Sequence, residues 1–143
     1  MIRKFTCNKS RSQISGMTLI ELLVVVGIVG ILIMFAYPSY QQHTLNAHRA
    51  TAQADLAKLQ LQLEHDYDGG YDLSSLIPGG VCTLCESDST RYSFKISSTG
   101  SQPYIISANA LSTKGQDDDS CLKADKTMTL DSSNTLYPSE CWD

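Results

Sequence analysis

Positive charge is scarce once the first sixteen residues are set aside. The four charged side chains of residues 1–16 are all basic (Arg3, Lys4, Lys9, Arg11), whereas from Met17 onward seven basic residues stand against fifteen acidic ones, a net of −8. A nucleic-acid partner needs a basic stripe that neutralises phosphates. The balance argues against direct nucleic-acid binding and leaves only a local patch, Arg91, Lys95, Lys123 and Lys126, to speak for it. Catalytic constellations are missing as well. His43, His48 and His65 are five and seventeen residues apart and supply no nucleophile–base pair, and there is no phosphate-cradling glycine loop or metalloprotease helix. The Cys82-x-x-Cys85 pair has no second pair of that spacing to complete a zinc site and no βαβ context for redox work. Asp117, Asp118 and Asp119 with Asp125 lack the glycine-punctuated spacing of a calcium loop and read as a solvated acidic loop. The expectation is of a protein that is not an enzyme, with no cofactor and no metal.

What the chain does have is Met17 to Tyr37, 21 residues of nearly unbroken apolar side chain followed by Pro38. As a helix this covers roughly 30 Å, the thickness of a bilayer core. Glu21 interrupts it, and an intramembrane acid costs on the order of 2 to 3 kcal/mol unless something pairs with it. A secretory signal would have a shorter apolar region with its cleavage site behind, and an uncleaved anchor would leave both Gly16 and Glu21 unexplained. The basic leader predicts a cytoplasmic amino end and an exported remainder. Cys7 falls in that leader, so Cys82, Cys85, Cys121 and Cys141 remain, an even number in a compartment that permits disulfides.

Beyond Pro38, whose ring predicts a kink rather than a stop, Leu45, Ala52, Leu56, Leu59 and Leu63 mark one face of an amphipathic helix. Asp68-Gly69-Gly70 ends it. Residues 71–90 have no period and read as loop. Alternation over 91–97, 103–110 and 126–131 predicts three strands, the first two joined as a hairpin. Their apolar face needs the helix as cover. The fold class is therefore α+β: a long bent N-terminal helix on a small antiparallel sheet of three to four strands. The organisation is a leader at 1–16, an apolar helix at 17–38, an amphipathic half at 39–68 and a sheet with its loops and tail at 69–143. Four cysteines allow three connectivities. Cys82 and Cys85 share a short turn-rich loop and can meet without a distant segment, which leaves Cys121 for Cys141, with crossed pairing to the tail as the other possibility.

Gly16, Met17, then Thr18-Leu19-Ile20-Glu21 and the apolar run closed by Pro38-Ser39-Tyr40 resemble the class III signal of type IV pilins. A later helix with Arg49, Ala50, Leu56 and Glu64, then Cys121-Leu122 and Cys141-Trp142, is similar to type IVa minor pilins of the PilE type. The resemblance implies cleavage by a prepilin peptidase after Gly16, N-methylation of Met17, residence in the bacterial inner membrane with the C-terminal domain in the periplasm, and then assembly with other pilin subunits into an extracellular filament. It implies that Glu21 pairs with the terminal amine of a neighbour, and that the two late cysteines tie down the tail. The function expected is that of a structural minor pilin supporting pilus biogenesis, adhesion, twitching motility or DNA uptake. The alternatives are a type II secretion pseudopilin and a pilin that itself binds DNA.

Overall fold

The computed structural model describes residues 16–122 and 124–142. Residues 1–15 of the leader lie outside them, as do Lys123 and Asp143. The chain falls into two compact units, residues 1–37 and 38–143. Helix α1 (Leu19–His65) continues through Pro38. Its apolar stretch up to Tyr37 is exposed along its length, and it is the one helix among the described residues long and apolar enough to cross a membrane. Thr18 caps it, its Oγ1 accepting the Glu21 N–H at 3.3 Å. Thr18-x-x-Glu21 thus has the spacing of a capping box, and the acid stands in the first turn where the helix dipole favours it.

In the second unit the expected face of α1 is the buried one: Leu45, Ala52, Leu56, Leu59 and Leu63. It lies on a four-stranded antiparallel sheet in the order β1 (Tyr92–Ser97), β2 (Ile105–Ala110), β3 (Thr127–Asp131) and β4 (Leu136–Tyr137). The inner side chains are Tyr92 and Phe94, then Ile106, Ala108 and Ala110, then Met128 and Leu130. These alternations make the register legible, with Phe94 opposite Ala108 and Ala108 opposite Met128. One boundary differs from the sequence reading, and the fourth strand of the expected three to four carries no periodic signal. The helix ends at His65, three residues before Asp68, and Gly69 takes the left-handed conformation (φ 76°) in the turn that follows. Strand β4 has only two residues, too few to show an alternation, and is held by Thr129 opposite Tyr137 and Leu130 opposite Leu136.

Candidate functional site

Antiparallel pairing brings the start of β1, the end of β2 and the start of β3 to one end of the sheet, and three cations arrive there with them. Arg91 precedes β1. Its Nη1 donates to the carbonyl of Lys114 and to Gln116 Oε1, both at 3.4 Å, while its own carbonyl accepts the Leu111 N–H. Lys114 therefore sits beside Arg91 although 23 residues separate them. Lys126 closes the row, its carbonyl accepting the Ala110 N–H at 2.7 Å. It adopts φ 52°, a left-handed conformation uncommon for a lysine. Lys95 lies four residues along β1 and is exposed on the outer face of the sheet.

Three of the acids at this end, Asp117, Asp125 and Asp88, have local partners, and Asp118 is exposed beside them. Lys126 Nζ bonds Asp117 at 2.8 Å, and the Tyr137 hydroxyl donates to Asp125 at 2.8 Å. Asp88 accepts both the N–H and the hydroxyl of Thr90. The Thr90 hydroxyl, then its N–H, and the charges of Arg91 and Lys114 hold the Asp88 carboxyl below its ordinary value. His48, on α1, is held below the ordinary imidazole value by burial first and by Arg91 second. A bound polyanion would act on His48 in the opposite sense.

Beneath this edge lies a layer of buried polar contacts that fixes it. Gln116, fully buried, donates to the Leu45 carbonyl and to the Tyr92 hydroxyl, both at 3.0 Å, and so holds the turn that carries Lys114 against α1. Burial, with the Asp119 charge second, pushes the Tyr92 hydroxyl far up. Asp119 is buried too, with Oδ1 bonded to Arg49 Nη1 at 2.5 Å and to the Cys121 N–H at 3.1 Å. Asp55 accepts the backbone N–H groups of Glu86 and Ser87 and the Ser87 hydroxyl, which clamps the segment leading into Asp88 and Arg91 onto the helix.

Of the four residues of the basic patch, Arg91 and Lys126 come together, Lys95 lies on the adjoining outer face and Lys123 is outside the described residues. Lys114 and His48 join the patch without any sequence signal, because what brings them is pairing across long separations. Asp55 did have one: an acid within the apolar face 52-55-56-59 is a buried carboxylate in search of donors. Cys82 bonds to Cys85 and Cys121 to Cys141, with Cα separations of 5.5 Å in each. Gln53 Nε2 also donates to the Cys141 carbonyl, a second tie on the tail. Gly16 and Met17 are exposed ahead of α1, Glu21 is in its first turn and Pro38 is inside it. Among the described residues no three His, Cys, Asp or Glu side chains gather to hold a metal ion.

Two family models match the chain. One, described as "Type IV minor pilin ComP, DNA uptake sequence receptor", covers residues 38–125, and the other, described as "Prokaryotic N-terminal methylation motif", covers residues 11–37. No solved structure matches. The first match overturns the expectation that nucleic acid is not a partner, since it places the chain in a family of DNA receptors. The error lay in arguing from a net charge of −8. A net charge sums the whole surface, whereas a phosphate feels chiefly the charges within a Debye length, about 8 Å at physiological ionic strength.

Proposed function

The chain belongs to the type IV minor pilin ComP family, a structural and non-enzymatic group, and from that premise we propose that it is a pilus subunit that captures DNA for uptake. The observation that carries the reading is the grouping of Arg91, Lys114 and Lys126 at one end of the sheet, with Asp117 and Asp125 tied to partners beside them. Cations so placed meet phosphates, which fix position and supply most of the affinity. The methylation motif and the apolar helix support a prepilin route. In it the leader is cut after Gly16, the new Met17 amine is methylated, and the subunit leaves the inner membrane for an extracellular filament. Among the described residues a Cβ placed at Gly16 would meet nothing within 4 Å, which supports reading that glycine as a processing requirement rather than a packing one.

The test is retention of labelled duplex DNA by the full chain in detergent micelles over a series of salt concentrations. Binding should weaken linearly in log–log form, and Lys114→Gln should reduce the slope by about 0.9. Retention that is absent, or indifferent to salt, rules the reading out.

A further inference from the structure

The outer face of the sheet takes no part in the core and is chemically uniform over two rows. Register and alternation place Ser93, Asn109 and Thr127 side by side in one row, and Lys95, Ser107 and Thr129 in the next. Five of the six side chains are hydroxyls or an amide and the sixth is a cation. No carboxylate lies in either row, in a chain rich in them. The nearest acids are spoken for: Asp131, opposite Ile105 at the far end, accepts the N–H groups of Ser133 and Thr135, and Asp125 accepts the Tyr137 hydroxyl. The first row leads directly to Arg91 and Lys126 at the cationic end, because Ser93 follows Arg91 by two residues and Thr127 follows Lys126 by one.

We propose that these two rows form a track for one strand of the DNA backbone, continuing from the cationic end across β1, β2 and β3, with Lys95 as its charged anchor and Ser107 and Thr129 as neutral donors to phosphate oxygens. The inference rests on the DNA-binding reading above. Three strands span about 10 Å, the axial rise of about three phosphates on one strand. Hydroxyls are regular phosphate donors, and Lys95 supplies the charge complementarity. Across β1, β2 and β3 the rows hold no aromatic side chain, and the one ring beside them, Tyr137 of β4 opposite Thr129, has its hydroxyl tied to Asp125. A single edge ring gives no run on which successive unpaired bases would stack, so duplex DNA is the occupant.

The two kinds of contact separate by salt dependence, since only a cation releases counterions. The full chain in micelles would be titrated with a labelled mixed-sequence duplex, and with the matching single strand, at several salt concentrations. Lys95→Gln should weaken duplex binding and lower the slope by about 0.9. The pair Ser107→Ala with Thr129→Val should weaken it by about fivefold per hydroxyl and leave the slope unchanged. Equal melting temperatures would show that each variant folds. If Lys114→Gln weakens binding while both outer-face variants bind as the wild type does, the track is wrong and the cationic end alone holds DNA. Preference for the single strand overturns the duplex assignment. A wild type that shows no salt-dependent binding takes the track down together with the reading on which it rests.

Discussion

At the scale of single residues the deciding chemistry is buried charge. Asp119 is without solvent contact, one oxygen serving Arg49 and the Cys121 N–H while the other, Oδ2, has no partner. Removing the cation leaves a bare carboxylate in the interior, which typically costs about 3 to 5 kcal/mol, whereas replacing both partners with apolar side chains of similar size is often neutral. Arg49→Met should therefore depress the urea midpoint strongly, and the double variant Arg49→Met with Asp119→Leu should recover most of the loss. A double variant no better than the single one would mean that the pair contributes more than it costs to bury. Nothing in the sequence joins residues 70 positions apart, so this pair was illegible there. Glu21 was legible as an anomaly; its backbone N–H bonds Thr18 Oγ1, and the Thr18-x-x-Glu21 spacing offers its side chain a local use as well, the reciprocal bond of a capping box. The two roles separate by substitution. Glutamine serves a capping box as glutamate does, yet carries no charge for a neighbour's amine. Glu21→Gln and Glu21→Val should thus both insert in the membrane and both be poorly incorporated in sheared filaments. Normal incorporation of the Gln variant would leave capping as the whole role.

Among the elements, those with a period were readable and those held by pairing alone were not. The helix stripe from Leu45 to Leu63 and the alternations at Tyr92, Ile106 and Met128 appear at their expected places because side-chain period follows backbone geometry. Strand β4 and the seating of the loop before β1 were not readable. The former depends on its neighbour, and the latter on four donor–acceptor contacts to one buried Asp55. The disulfides act at this scale too. Cys121–Cys141 spans 20 residues and Cys82–Cys85 only three. Closing the longer loop in the unfolded chain is worth roughly 3 kcal/mol, while the shorter was nearly closed already. Cys121→Ser should lower the melting temperature of the full chain in micelles much more than Cys82→Ser. Equal losses would show that the chain-entropy argument does not govern this domain, and that contacts such as Gln53 to the Cys141 carbonyl already secure the tail.

On the scale of the whole molecule charge is distributed rather than balanced, and this is what makes a chain of net −8 compatible with a DNA partner. Glu64, Asp66, Asp68 and Asp72 follow one another at the end of α1 and in the turn beyond it, with no lysine or arginine among residues 59–90. His48, beside Arg91, lies 16 residues earlier on the same helix, a rise of roughly 24 Å. That exceeds the Debye length of about 8 Å at 0.15 M salt but falls within the length of about 30 Å at 0.01 M. The acidic end is therefore screened from DNA bound at the cationic end under physiological conditions and felt only in dilute buffer. Replacing Asp66, Asp68 and Asp72 together by asparagine spares Glu64, which accepts the Tyr71 and Tyr104 hydroxyls. Asparagine at 72 also keeps an oxygen for the Ser74 N–H that Asp72 now binds. Duplex affinity of this triple variant should match the wild type within about twofold near 0.15 M salt and exceed it severalfold near 0.01 M. An equal gain at both concentrations would place the acids next to the DNA, and the cationic end of the sheet would then be the wrong surface.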